Sequence, residues 1–259
     1  MNMKDDDDDF FLIEDMNADQ INKKVNEKTV ALLIFGSCEN HGDHLPFGSD
    51  FMFPLELAKR VAIKNKNVII FPPIPYGVSS HHKKFYMTIS IATNTLISII
   101  ENLLESVYNN GIHKILIING HDGNIAPIEI ASRNTKERYP NITIACLEAW
   151  WELIGKISPA TFNVWDGLGH GGEAETSAIM TIRPNLVNKN NIPEDTIPNL
   201  PKHIRIFWTM DELSRTGATG SPNNASMKKG DVICKILEDM LTSFLLDMEK
   251  KRWRYGLFL

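Results

Sequence analysis

Four short apolar runs, at 31–35, 68–71, 115–118 and 142–147, recur along the chain between longer amphipathic stretches. A run that is apolar on both faces needs cover on both faces, which is the condition of a parallel strand buried between helices. The stretches 51–62, 89–109 and 125–138 read as those helices, and a last amphipathic helix is expected over about 225–250. Strand–helix alternation implies right-handed crossovers and an α/β fold, a single-domain three-layer αβα sandwich with a mostly parallel sheet. With 259 residues, 43% of them hydrophobic, the chain can bury one such core, and no Pro/Gly/Ser linker divides it. Residues 1–10, which hold the acidic run Asp5–Asp9, read as a disordered tail, and 11–259 as the domain.

Charge narrows the partners. A formal net charge of -5 offers no basic face for nucleic acid, so a small neutral or modestly charged substrate is expected. No stretch approaches the roughly 18 uninterrupted apolar residues of a membrane span. The N-terminus has neither the basic start nor the apolar core of a secretory signal. Cys38, Cys146 and Cys234 are odd in number and far apart, which implies reduced thiols and a cytoplasmic location.

Polar residues gather where the apolar runs end. After the first run, Glu39, His41, Asp43, His44 and Asp50 crowd a glycine-containing loop. Residues two apart in an extended segment point the same way, so Glu39 and His41 can offer an oxygen and a nitrogen to one small volume. Asp50 stands where the next helix begins and could cap it or bridge two ions. Mixed Glu and His donors suit Zn, Mn or Fe. After the third run, glycines in Asn119-Gly120-His121-Asp122-Gly123-Asn124 turn the backbone and aim His121 across the carboxyl end of the sheet, with Asn124 placed to cap the next helix. Carboxyl-end loops are where open α/β sheets bind ligands. A third loop sets His170 among glycines just before Glu173 and Glu175, acids that at a helix start often serve only the dipole. The proline-rich segment 71–82 suits a pocket wall, and the Asn-, Pro- and Gly-rich stretch 187–222 is expected to form long loops that cover the site or bury against a neighbouring subunit.

Together these segments resemble the creatininase, or creatinine amidohydrolase, family. The matching patterns are Glu-x-His-Gly-x-His-Leu-Pro-x-Gly-x-Asp at 39–50, Asn-Gly-His-x-x-Asn at 119–124 and His-x-Gly-Glu-x-Glu-Thr-Ser at 170–177. A Pro-Pro-x-x-x-Gly-x-Ser loop at 72–79 and Arg183-Pro184 agree as well, and the resemblance spans about 28–250. It implies a cytoplasmic amidohydrolase, commonly a homohexamer, that cleaves carbon–nitrogen bonds other than peptide bonds in a small-molecule amide. It also implies two divalent ions per subunit (Zn, Mn or Fe) and attack by a metal-activated hydroxide. Carried over by position, Glu39 and His121 hold one ion, His41 the other, and Asp50 bridges. Creatinine-hydrolysing members place a Glu where this chain has Gly123, so Glu173 is expected to supply the missing carboxylate, with Asp122 as the weaker candidate. His170 is expected to relay a proton and Glu175 to orient it; Ser79, Asp122, Trp151 and Trp165 are candidates for the substrate wall. Trp150 and Trp151 read equally well as core aromatics.

A second departure is Gly169, where creatinine-hydrolysing members carry a Glu. The two glycines are expected to leave a wider, less acidic pocket in which creatinine is a poor substrate. Other members deformylate a formylamino-pyrimidine nucleotide or trim a peptide-derived cofactor precursor. Two rival readings predict different chemistry: a non-catalytic ligand-binding protein whose glycine-rich loops hold a phosphate, and a two-metal hydrolase of phosphoesters.

Overall fold

The structure, a computed structural model, describes residues 12–201 and 203–258; the tail expected over 1–10 lies outside the described residues. In chain order the elements are α1 (Ala18–Lys24), β1 (Val30–Phe35), α2 (Ser49–Lys64), β2 (Val68–Ile70), α3 (Thr93–Asn109), β3 (Lys114–Asn119), α4 (Ile125–Arg138) and β4 (Thr143–Leu147). They are followed by α5 (Trp150–Ile157), α6 (Glu173–Ile182), α7 (Met210–Leu213) and α8 (Met227–Lys250). The strands form one sheet in the order β2-β1-β3-β4, and every neighbouring pair is parallel.

The unbroken apolar runs are explained by β1, whose six residues are all buried. Val30, Leu32 and Ile34 face one core, with Phe53 and Leu57 of α2 and Leu237 and Leu241 of α8. Ala31, Leu33 and Phe35 face the other, with Ile100 and Leu104 of α3 and Ile128 of α4. This two-residue alternation puts the sheet between two helical layers, as the run pattern implied. Truncating such a residue, as in Leu32→Ala, costs about 2–5 kcal/mol because the tightly packed surroundings cannot collapse onto the hole.

Strand order decides where a site can form. From β1 the chain crosses to β2 on one side, then returns past β1 to β3 on the other, so the connections diverge at the carboxyl ends of β1 and β3 and leave a crevice. Phe35 and Asn119 lie side by side there. The first turn of α2 packs directly onto this crevice. A Cβ on Gly120 would come within 1.8 Å of the Asp50 carbonyl oxygen, so only glycine allows the approach that brings Asp50 between the two loops.

The structure corrects several local expectations. α3 begins at Thr93 rather than 89, because Ile89 and Ser90 are extended and bridge Cys38 and Gly77. Asn124 stands at the N-cap position of α4 but makes no side-chain capping bond: its side chain accepts from the Val78 N–H and donates to the Gly36 carbonyl, tying three loops together. Asp50 is not a cap either, since Gly48 holds that position in α2. The loops of 187–222 contain α7 and a bridge between Thr196 and Gly220. Cys38, Cys146 and Cys234 are free. Among the described residues, no helix is long and apolar enough to cross a membrane.

Candidate metal centre

Five side chains from four segments meet in the crevice. Glu39 and His41 leave β1, Asp50 is the second residue of α2, His121 follows β3, and Glu175 lies in the first turn of α6. His41 Nε2 is 2.8 Å from Asp50 Oδ1 and 4.0 Å from Glu175 Oε2. His121 Nδ1 is 3.3 Å from Glu39 Oε1 and 3.2 Å from Asp50 Oδ2. Asp50 therefore faces both imidazoles, one with each oxygen. The donor atoms fall into overlapping triads, Glu39–Asp50–His121 and His41–Asp50–Glu175, each within 4.8 Å; a third combines Glu39 and His41 with His170.

Backbone carbonyls set which nitrogen each ring presents. His41 Nδ1 donates to the Glu39 carbonyl at 3.1 Å, and His121 Nε2 donates to the Val78 carbonyl at 3.0 Å. The opposite nitrogen of each ring is thereby turned toward the carboxylates, the arrangement that orients a histidine for metal binding. His170 follows the same logic: its Nε2 donates to the Asn40 carbonyl at 2.6 Å, and Nδ1 sits 3.7 Å from Glu39 Oε1.

Both oxygens of Glu39 and Oδ2 of Asp50 are buried without a hydrogen-bond donor. Burial alone would raise Glu39, yet His121 beside it holds it well below the usual carboxylate range. Burial opposes charging His41 as well, but the adjoining Asp50 carboxylate lifts it to about 10. Glu175 is pushed up by burial to about 7, against the pull of His41. Burial drives His82 far below the usual histidine range and, with His41, lowers His170 to about 4. Burial thus favours the neutral form of those two rings, while the adjoining carboxylates favour the charged form of His121 and His41. Carboxylates with orphaned oxygens, facing nitrogens already aimed at them, fit divalent cations in place of those protons.

Several expected residues stand elsewhere. Glu173 is in none of the triads: its buried carboxylate is paired with Lys229 and accepts from the backbone N–H groups of Asn163 and Val164. α6 turns about 100° per residue, so acids two apart face different ways, and Glu175 reaches the centre instead. Glu175 accepts from the Gly171 N–H at 2.6 Å and makes no hydrogen bond to His170. Ser79 is fully buried against Ser37 and 3.3 Å from His121 Nε2, beneath the site rather than on its wall. Asp122, Trp151 and Trp165 do line a cavity of about 510 Å³ over the centre, whereas Trp150 is buried against Phe53. Trp165 and Asp166 adopt φ of 50° and 51°, a strained pair of a kind that gathers at functional sites.

The glycine expectation also changes. A Cβ on Gly123 would lie 2.0 Å from the Val78 carbonyl oxygen, and one on Gly169 (φ +122°) 2.5 Å from that of Thr219. Backbone already fills both places, so the two glycines permit close packing and do not widen the pocket. The cavity is also lined by His81 and His82, from the segment expected to form a pocket wall, and by Arg205 and Trp208, from the stretch expected to cover the site, none of them singled out by the sequence. Adjacent histidines ending a rigid proline loop were a usable signal for the first pair; nothing marked the second, which lie in an exposed irregular stretch.

Residues 14–245 match the creatininase family, described as creatinine amidohydrolase. A creatinine amidohydrolase of Pseudomonas putida is 25% identical over 224 residues, covering 80% of this chain and 85% of its own. A mycofactocin precursor peptide peptidase of Mycolicibacterium smegmatis is 28% identical over 219 residues, 79% of each chain. A Methanococcus maripaludis 2-amino-5-formylamino-6-ribosylaminopyrimidin-4(3H)-one 5'-monophosphate deformylase is 30% identical over 130 residues, 48% of this chain and 55% of its own. A solved structure described as creatininase with Mn superposes with a TM-score of 0.82 at 22% identity over 93% of this chain and 98% of that one. A Zn-Zn mutant creatininase superposes at 0.80 and 22% identity, over 92% and 97%. At that identity the superpositions establish a shared fold.

Proposed function

The chain belongs to the creatininase family, and from that premise we propose that it hydrolyses an amide or formamide bond of a small molecule other than creatinine, with two divalent ions bound in the side-chain cluster. Family membership makes it a hydrolase acting on carbon–nitrogen bonds. The observation that carries the metal-dependent reading is the set of orphaned oxygens on Glu39 and Asp50, buried beside imidazoles whose ligand nitrogens face them. Glu39, Asp50 and His121 would hold one ion; His41, Asp50 and Glu175 would hold the other, with Asp50 shared. Glu175 takes the place that the sequence gave to Glu173. Such nitrogen and carboxylate donors suit zinc, manganese or iron. Paired ions lower the pKa of water and polarise a carbonyl oxygen, the two needs of amide hydrolysis near neutral pH.

The chain's own groups handle binding and protons. His170 is neutral, with its Nε2 proton committed to Asn40 and Nδ1 turned toward the cluster. Nδ1 accepts a proton and passes it to the leaving nitrogen, a role worth roughly 10²–10⁴-fold. Trp151, Trp165 and Asp122 hold the substrate against the cluster and keep bulk water from it. Asn119, donating to the His121 and Glu148 carbonyls, keeps the His121 loop in place.

Creatinine is set aside because the Glu positions of creatinine-hydrolysing members are Gly123 and Gly169 here, with backbone packed against both. A cavity of about 510 Å³ is also of the size that encloses drug-sized ligands. The deformylase relative supports trying a formylamino-pyrimidine first. The reading includes a homohexamer in the cytoplasm, which light scattering and fractionation test. Metal-loaded protein should turn over the formylamino-pyrimidine and leave creatinine nearly untouched. Creatinine turnover with kcat/KM of about 10⁴ M⁻¹s⁻¹ or more would reverse that choice. Turnover of phosphoesters alone would change the reaction class, and protein that takes up no transition metal would return the chain to a binding role.

A further inference from the structure

The cavity above the centre does not end at the reacting groups. It shares His81, Asp122, Ile125, Arg205 and Trp208 with a second chamber of about 410 Å³. None of the five clustered metal-ligand candidates lines that chamber, so it lies beside the cluster and not over it. Its walls are of another kind. Ile125 and Ala126 open α4 on one side, and Phe207 and Trp208 belong to the irregular segment opposite. Trp208 stands edge-on to His81, with ring centroids 5.6 Å apart, and His81 in turn stacks on His121 at 5.8 Å. This chain of rings connects the second chamber to the candidate ligand. Arg205 is the one Lys or Arg among the described residues lining either chamber, and its guanidinium lies over the Phe207 ring at 5.3 Å. Asp122 lines both chambers too, from the loop that carries His121, whereas Arg205 stands on the irregular segment opposite.

We propose that this second chamber is a specificity subsite that takes a planar aromatic group carrying an anion, so that the substrate is an extended molecule with its amide at the metal end and its anion toward Arg205. The inference rests on the amide-hydrolase reading for the position of the amide. A wall of apolar and aromatic side chains with Arg205 as its one cation discriminates by stacking and charge, while a short amide leaves the chamber filled with water. Arginine suits the role because its planar guanidinium can pair with a carboxylate or phosphate through two hydrogen bonds.

Two sets of probes separate this inference from the reading beneath it. The first is turnover of N-methylformamide, formanilide and 4-formamidobenzoate by zinc-loaded protein. The second is calorimetric binding of acetohydroxamate, benzohydroxamate and 4-carboxybenzohydroxamate, which chelate a metal without being cleaved. In both, the ring and then the carboxylate should each improve kcat/KM or affinity by roughly tenfold. Trp208→Leu should shrink the ring's advantage, Arg205→Gln should remove the carboxylate's, and Ala126→Trp, which fills the chamber from its other wall, should erase both. If formamides are not cleaved but the hydroxamate order and its loss in the variants hold, the subsite stands and the amide reading falls. If formamides are cleaved with no gain from ring or carboxylate, the subsite is wrong. A preference for 4-(aminomethyl)formanilide over 4-formamidobenzoate would overturn the anion assignment.

Discussion

Glu173 and Glu175 stand two residues apart in the first turn of α6, and the regions on either side of that turn treat buried charge in opposite ways. On the α8 side, Glu173 meets Lys229, which also donates to Asn163 Oδ1 and the Asn224 carbonyl. Every charge there has a partner of opposite sign or a backbone group. On the crevice side, Glu39 and Asp50 keep oxygens with no well-formed hydrogen bond, faced by the His121 imidazole. A compensated pair braces α6, α8 and the loop before Trp165. A set of acids whose only counter-charges are neighbouring imidazoles is tolerable only with protons on those rings, or with metal ions, among them.

The strongest test of the contrast is Asp50→Ala, which removes the carboxylate common to both triads. We expect both ions to be lost and activity to fall roughly 10³-fold or more; elemental analysis showing two ions per chain would contradict the bridging role. Next comes His170→Ala, expected to keep its ions while kcat falls roughly 10²–10⁴-fold. A metal-depleted variant would make His170 a ligand, as the third triad allows. The two acids should then separate cleanly. Glu175→Gln should lose one ion with little change in the melting point of ion-free protein. Glu173→Gln should keep both ions but unfold more readily, by about 3 kcal/mol, because Lys229 is left with a neutral partner. If Glu173→Gln lost metal and Glu175→Gln did not, the assignment would have to be exchanged.

The smallest expected effect concerns protons. In ion-free protein His41 is lifted to about 10, above its ordinary value of 6.5. Its proton therefore stabilises the fold fully below 6.5, and that contribution fades as pH rises through about 10. Metal loading should displace the proton, so titration in buffers of different ionisation enthalpy should register proton release near neutral pH. Melting of the ion-free form should decline between neutral pH and 10, while the loaded form should hold steady. Equal slopes for the two forms would mean that His41 is not where the ion binds.

The chain's own pattern announced the sheet, because a parallel strand between two helical layers can have no polar face, and the runs at 31–35 and 115–118 have none. It also marked Glu39, His41, Asp50 and His121, since each lies on a loop or helix start directly beyond a strand end. Side-chain destination was not legible where it depended on a distant partner. Glu173 and Glu175 look alike in sequence, and Lys229, more than fifty residues later, draws one of them away. Ser79 looked like a wall residue until the return of β3 set His121 on top of it. Gly123 and Gly169 looked like open space, but the Val78 and Thr219 carbonyls occupy it. Local chemistry and periodicity thus determined which residues would be near the carboxyl edge of a parallel sheet, because strand register and loop position are short-range properties. Only the packing of α2, α6 and α8 against one another decided which acids became braces and which were left for a metal, because compensation of a buried charge depends on what long-range contacts bring within a few ångströms of it.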